Sequence, residues 1–188
     1  MFSTRTRRVQ TIPRAAKPEK RHNEVMSSTF SLQLSHVLRT VLNAANLSTV
    51  LGLLLAVAGR SHLRGGGNGL VLAEHYLLPL PQRGAFTVGN VVLFPGGTLD
   101  ELQQRYPEVL THEAAHAWQY AACLGLPFLP LYALASGWSW LRTGDPASAN
   151  VFERAANLTR GGYVEHPRTN AGFAQAAAAL GLRRTNRG

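Results

Sequence analysis

The chain has 188 residues, of which 45% are hydrophobic, and this is enough for one domain with its own core. Its formal net charge of +9 lies in the ends: residues 1–25 hold seven Lys/Arg against two Glu and residues 181–188 hold three Arg, whereas residues 26–180 hold nine Arg against eight Asp/Glu. A nearly neutral body lacks the basic patch of a nucleic-acid-binding domain, so no specific nucleic-acid partner is expected.

Polar and basic residues dominate residues 1–28, which we interpret as a disordered tail. Residues 29–182 are the predicted folded domain, and residues 183–188 form a second basic tail. Such tails also contact anionic lipid or nucleic acid in some proteins, and a steep salt dependence of binding would identify that role. No apolar stretch follows the N-terminus before about residue 41, so a signal peptide is not predicted and a cytoplasmic location is favoured.

A helical pattern of apolar residues runs from Phe30 to about Gly59. Residues 41–59 of this run carry no charge and are barely long enough to span a membrane. Polar residues such as Asn43 and Asn46 lie in the first half of the uncharged run. They favour a buried amphipathic helix, while a membrane contact or span remains the alternative.

Two strand-like runs follow the glycine-rich residues 64–69, which we interpret as a flexible break. The first covers residues 70–73, and the second covers residues 86–94, "FTVGNVVLF", which are rich in β-branched and aromatic residues. Together with the helical segments on either side, they predict an α+β fold that is mostly helical, with a small sheet beside the next long helix.

That next helix is predicted at about residues 107–124, because Pro107 suits a first helical turn. A shorter helix is expected to begin after Thr98, where Glu101 three residues on completes a capping-box pattern. The longer helix contains "THEAAHAWQY", residues 111–120, with two histidines four residues apart.

His112 and His116 therefore project from one helix face, one turn apart. Two imidazoles at this spacing can reach one tetrahedral zinc ion. Glu113 lies about 100° round the helix from His112. In that position it can accept a proton from a zinc-activated water without ligating the metal.

A catalytic zinc needs a third protein ligand, and the candidates are Glu153, Glu165 and His166. Glu153 is favoured, because it lies among apolar residues of a helical stretch, where a carboxylate without a partner would be costly. Asn157, one turn after Glu153, is a candidate for orienting a ligand histidine by contacting the ring nitrogen that does not bind the metal. Gln119 lies on the face of His112, and the sequence does not decide whether it lines the site or packs.

Residues 117–141 contain no charge and are long enough for a transmembrane helix. A straight span would place Glu153 roughly 30 Å from the two histidines, so the three could not share one ion. Pro127 and Pro130 also interrupt the run near its middle. Two helices folded back on each other are therefore predicted.

The motif "HEAAH", followed by Glu153 and then Asn157, resembles the gluzincin group of zinc metallopeptidases. "AFTVGNVVLF" ahead of "LTHEAAHAWQ" is also similar to a small bacterial HExxH domain of unknown function found in contractile-injection-system effectors. The resemblance implies the zinc ligands His112, His116 and Glu153, with Glu113 as the general base. Gluzincins typically have Asp where Asn157 stands, so this role carries over less securely.

In gluzincins the strand before the motif helix commonly lines the cleft and binds peptide along its edge, a place that residues 86–94 fit. An oxyanion stabiliser is also expected, and Tyr163 and His166 are the nearby candidates. We therefore expect a zinc metallopeptidase acting on a peptide or protein substrate. The alternative is a membrane-associated zinc-binding protein without proteolytic activity, and a peripheral membrane contact stays open in either case.

Overall fold

The structure, a computed structural model, describes residues 18–79 and 84–179. In these residues seven helices accompany a four-stranded mixed sheet, which confirms the predicted α+β, mostly helical fold class. The elements in chain order are α1 (Pro18–Ala45), α2 (Ser48–Ala58), β1 (His62–Gly65), β2 (Val71–Tyr76), β3 (Phe86–Val88), β4 (Val91–Pro95), α3 (Leu99–Arg105), α4 (Val109–Ala122), α5 (Phe128–Thr143), α6 (Val151–Ala156) and α7 (Ala171–Ala179).

The N-terminal region differs from its prediction. The tail expected for residues 1–28 lies outside the described residues up to residue 17, but from residue 18 the chain is helical. Pro18 suits the first helical position, and the glutamates and lysine that follow are good helix formers. The described part of the chain forms two compact units, which divide between Ser35 and His36. The C-terminal tail, residues 183–188, lies outside the described residues.

The helix predicted over residues 30–59 is two helices, because the chain turns at Leu47, whose φ is 65°. The Asn46 side chain accepts hydrogen bonds from the backbone and the hydroxyl of Ser48, at 3.1 and 2.7 Å, and so starts α2. Residues 41–58 are buried only in part: Ala56 is fully buried and Leu51, Leu53 and Leu55 pack against the core. The exposed large apolar residues of this stretch are Val41, Leu42, Leu47, Val50, Leu54 and Val57. No single helix of the described residues is long and apolar enough to cross a membrane, although Thr29–Ala45 and Ser48–Ala58, bent by 74°, pass that test as a pair.

The sheet has the strand order β1-β2-β4-β3, with β2 and β4 parallel and the other neighbours antiparallel. The strand predicted over residues 86–94 is a hairpin that turns at Gly89 and Asn90. Gly89 has a φ of 62°, and a β-carbon there would lie 2.3 Å from the backbone nitrogen of Thr49, so only glycine fits this turn. Consequently β3 is an edge strand, and it contacts α4.

Side chains from the two faces of the sheet feed two apolar clusters. Ala73, Val91 and Leu93 pack with Tyr120 and Phe128 of the helices on one side. On the other side, strand residues pack with residues of α3 and α4. The buried members of this second cluster include Leu72, Val92 and Phe94 from the strands, Leu99 from α3, and Val109 and Ala117 from α4. The helix α4 thus contributes to both clusters, which fixes its rotation and the direction of its histidines.

The segment between the motif and Glu153 contains two helices separated by a turn, as predicted, but Pro130, which was expected to interrupt the run, lies in the first turn of α5. The helix α4 ends at Ala122, and Leu124 and Gly125, with φ of 60° and 87°, turn the chain before Pro127 leads into α5. Before this segment, Thr98 forms the predicted capping box at the start of α3. The short helix α6 then lies against α4.

Candidate metal centre

The helix α4 places two imidazoles side by side in the interior. His112 and His116 are both buried, and their Nε2 atoms lie 3.1 Å apart. Their rings meet edge to face, with centroids 4.8 Å apart. The spacing of four residues therefore brings the two nitrogens to a common point, as the helical period requires.

The helix α6 brings Glu153 to the same point. The Asn150 side chain caps this helix by accepting a hydrogen bond from the backbone of Phe152, at 2.9 Å. Glu153 is only 1% exposed, and its two carboxylate oxygens lie 3.2 Å from His112 Nε2 and 3.5 Å from His116 Nε2. One donor atom from each of the three residues lies within 4.8 Å of the others, so the group can hold a metal ion.

The hydrogen-bond partners of the two Nδ1 atoms determine the tautomer of each histidine. His112 Nδ1 lies 3.0 Å from the backbone oxygen of Asn157, and His116 Nδ1 lies 2.8 Å from the side-chain oxygen of Gln119. Gln119 in turn donates through Nε2 to the backbone oxygen of Phe152, which fixes the orientation of its amide. Since both partners of Nδ1 are acceptors, both Nδ1 atoms carry the proton and both Nε2 atoms present lone pairs.

These donor atoms fit a cation. Two lone pairs and a buried carboxylate converge without a donor between them, and Glu153 Oε2 has no hydrogen-bond partner. A buried carboxylate is costly unless a positive charge faces it. Two imidazoles and one carboxylate are ligands that zinc accepts in catalytic sites.

In the metal-free protein a proton takes the place of the cation. Burial lowers the pKa of His116, but the hydrogen bond to Glu153 and the charges of Glu113 and Glu153 outweigh it and raise this pKa to about 9. Burial likewise raises the pKa of Glu153, yet the hydrogen bonds that His112 and His116 donate when their Nε2 atoms are protonated prevail and hold this pKa well below its usual range. The centre therefore attracts positive charge strongly.

Glu113 is held beside the group but is not part of it. The side chain is buried, and the hydroxyl of Thr87, on the edge strand β3, donates to Glu113 Oε2 at 2.7 Å. Burial raises the pKa of Glu113, and this outweighs the opposing effects of the two histidines and Thr87. A carboxylate with a raised pKa is suited to take up a proton near neutral pH.

A cavity of about 560 Å³ opens next to Glu113, His116 and Glu153. Its remaining walls are mainly apolar and aromatic, and they come from α2, the end of β2, β3 and α5. The apolar and aromatic wall residues include Leu55, Tyr76, Phe86, Phe128 and Leu129. The centre is thus buried in the protein on one side and reached from this cavity on the other.

Two tyrosines flank the centre. Tyr132, one turn into α5, donates its hydroxyl proton to Glu153 Oε1 and so helps to orient that carboxylate. The ring of Tyr163 lies 5.7 Å from that of His112, and the residue is 38% exposed. Its partial burial and the charges of Glu153 and Glu113 raise the pKa of the phenol, so the hydroxyl stays protonated at neutral pH. Sequence reasoning missed Tyr132, although its spacing of four residues from Phe128 placed both on one face of α5.

Two candidates from the sequence lie elsewhere. His166 is exposed and does not line the cavity, and its backbone nitrogen donates to the hydroxyl of Ser148. Glu165 is exposed and forms an ion pair with Arg154. Of the three residues considered for the third ligand, only Glu153 lies with the histidines. Of the two oxyanion candidates, only Tyr163 borders the cavity.

Asn157 supports His112 in a different way from that expected. Its backbone carbonyl, together with that of Ala156, lies next to His112 Nδ1, whereas its side chain accepts a hydrogen bond from Thr159. Asn157 has a φ of 71°, a conformation that asparagine tolerates better than most residues. The side chain of Asn157 therefore matters here for the backbone conformation and does not itself contact His112.

The loop after α6 closes over His112. A β-carbon at Gly161 would lie 2.8 Å from both Cε1 and Nε2 of His112 and 2.8 Å from the ring of Tyr163. Glycine is therefore the residue that allows the loop to approach the imidazole this closely.

Comparisons with known proteins found no match. No family model matches the chain, no curated protein matches it in sequence, and no solved structure matches it.

Proposed function

We propose that the protein is a zinc-dependent metallopeptidase that hydrolyses peptide bonds. The observation that carries this proposal is the convergence of three buried donor atoms from His112, His116 and Glu153 next to an apolar cavity that also exposes Glu113. Among the described residues no fourth His, Cys, Asp or Glu belongs to the group. A purely structural zinc is usually closed by four protein ligands, so three ligands beside a cavity favour catalysis.

Each residue has a role that follows from its contacts. His112, His116 and Glu153 would hold the zinc, and Gln119 and the carbonyl of Asn157 fix the tautomers of the histidines. Zinc, when bound, would lower the pKa of a water molecule toward about 7 and polarise the substrate carbonyl.

Glu113 would accept the proton of the attacking water and pass it to the leaving amine. Thr87 keeps one carboxylate oxygen of Glu113 in place through its 2.7 Å hydrogen bond. The hydroxyl of Tyr163, protonated at neutral pH, is the candidate donor to the oxyanion. A peptide would lie along the edge strand β3, which lines the cavity, and add its backbone hydrogen bonds there.

The test is the substitution Glu113→Gln, which preserves shape but removes the proton acceptor. We expect about one zinc per chain in both the parent and the variant by elemental analysis, with hydrolysis of a peptide library reduced by about 10²–10⁴-fold in the variant. The matched control is Glu108→Gln, an exposed glutamate at the start of the same helix, which should behave as the parent. A metal-free parent that refuses zinc, or a Glu113→Gln variant with full hydrolysis, contradicts the proposal.

A further inference from the structure

In the second half of α1 the polar face is buried and the apolar face is exposed, which is the reverse of the usual arrangement. Arg39 and Asn43 are fully buried, whereas the apolar residues of this half point outward. A helix on the surface of a water-soluble domain normally turns its apolar face toward the core and its polar face toward water. The exposed apolar residues of α1 in the second compact unit are Val37, Leu38, Val41 and Leu42.

The polar face is committed to contacts inside the protein. Arg39 donates to the backbone oxygen of Asn68, and its guanidinium lies 5.6 Å from the ring of Trp118. The side chain of Asn43 donates to that of Asn90, at 3.0 Å, and to the backbone oxygen of Ala117, at 2.8 Å. These contacts fix the rotation of the helix, so the outward direction of its apolar residues is a defined feature of the fold.

The helix α2 repeats the pattern with small residues. Ser48, Gly52 and Ala56 face the sheet, and a β-carbon at Gly52 would lie 2.4 Å from the backbone oxygen of Val88. Leu51, Leu53 and Leu55 are half-buried against the core, whereas Val50, Leu54 and Val57 are exposed, with Leu54 62% and Val57 70% exposed. Packing through small residues, with large apolar side chains exposed on the opposite face, is an arrangement of helices that face lipid.

We define the outer face as the outward apolar residues of both helices and of the bend between them, which are Val37, Leu38, Val41, Leu42, Leu47, Val50, Leu54 and Val57. Exposed apolar residues concentrated in this way on neighbouring helices are typical of an interaction site. The only charged residue between residues 36 and 59 is Arg39, which is buried, so the outer face itself carries no charge.

Positive charge flanks the outer face on both sides in the sequence. Residues 1–25 carry seven Lys/Arg, and the exposed Arg60 follows α2, whereas Arg64 is paired with Glu74 and Asp100. Basic residues beside an apolar helical segment are complementary to anionic lipid headgroups. A second copy of the chain would bring the same positive flanks to the interface, where like charges repel.

We propose that the outer face is a membrane-docking surface that inserts into the headgroup region of an anionic bilayer. The 74° bend between the two helices suits a pair that lies in the interface rather than one that crosses the bilayer. This inference goes beyond the proposed hydrolysis and does not depend on it.

The first test is flotation of the full chain with vesicles of phosphatidylcholine alone and of phosphatidylcholine with phosphatidylglycerol. We expect the parent to float with the anionic vesicles, and Leu54→Gln/Val57→Gln to reduce the floated fraction at least tenfold. The matched control, Val151→Gln/Val164→Gln, removes two exposed apolar side chains elsewhere and should float as the parent does. Binding that survives the outer-face substitutions but disappears in high salt means that the basic tails act alone, and this overturns the proposal.

The second test remains decisive if the double variant fails to fold. In a Cys123→Ser background, an environment-sensitive fluorophore is attached at Leu54→Cys or, as the control, at Asp100→Cys, an exposed polar position. Anionic vesicles should shift the emission of the Leu54→Cys label to the blue and leave the control unchanged. No shift overturns the proposal. A dimer that forms without lipid and is abolished by the outer-face substitutions, with no vesicle binding, assigns the face to a second copy instead.

Discussion

Replacing Glu153 by glutamine should remove most of the stabilisation that zinc gives the protein. Glu153 is the only anionic member of the group, and both of its oxygens lie within 3.5 Å of a ligand nitrogen. Removal of a group that merely supports a ligand typically costs about 10–100-fold in metal affinity. We therefore expect a loss of about 100-fold for Glu153→Gln, which keeps the shape but not the charge.

This loss translates into a thermal shift. Zinc at about 100 times its dissociation constant stabilises the parent by about 2.7 kcal/mol, whereas a variant with 100-fold weaker affinity gains about 0.4 kcal/mol at the same concentration. A protein of this size shifts in Tm by about 2–4 °C per kcal/mol. The zinc-induced rise in Tm should therefore be about 5–11 °C for the parent and about 1–2 °C for Glu153→Gln.

The assay is thermal unfolding of each variant with and without zinc, so that any effect on the metal-free fold cancels. Glu165→Gln is the matched control, because Glu165 was a candidate ligand in the sequence but is exposed and paired with Arg154. It should keep the full zinc-induced rise. Equal rises in Glu153→Gln and the parent, or a rise lost in Glu165→Gln alone, would refute the assignment of the third ligand.

Four further results are expected. Thr87→Val should raise the pKa of Glu113 further, because the hydrogen bond that it removes lowers this pKa; the acidic limb of the kcat/KM profile should move to higher pH, while Thr87→Ser should resemble the parent. Gln119→Leu should weaken zinc binding about 10–100-fold in competition with a chelator, because it leaves His116 Nδ1 without an acceptor. In the metal-free protein the pKa of His116 is raised from 6.5 to about 9, so the stabilisation that its protonation provides is present below pH 6.5 and is lost as the pH rises through 9. Because a proton competes with zinc for His116 in this range, the apparent zinc affinity should increase with pH up to about 9 and then level off. Removal of residues 1–17 should leave zinc content and peptide hydrolysis unchanged, and only the salt-sensitive part of vesicle binding should decrease.

The elements that follow from local chemistry could be predicted from the sequence. Thr98 and Glu101 specify a helix start through contacts three residues apart, and Pro127 marks the start of the helix that follows the turn. The position of Glu153 beside His112 followed from the need of a buried carboxylate for a partner.

The features that depend on distant packing could not be predicted. Residues 86–94 have a continuous strand pattern, and their turn at Gly89 is set by close contact with Thr49, which lies far away in the sequence. The direction of α1 is set by Asn43, whose partners Asn90 and Ala117 belong to other elements. Apolar periodicity identifies which residues share a helix face but does not say whether that face turns toward the core or away from it.

The close approach of Gly161 to His112 also provides a criterion for judging related sequences. A methyl group at this position would lie against the ring nitrogen that faces the proposed metal site, so any larger residue must displace either the loop or the imidazole. Under the proposed function, a homologue could therefore retain the histidines and both glutamates and still lose zinc binding through this one position. The HExxH motif alone would not identify such a loss, whereas residue 161 would.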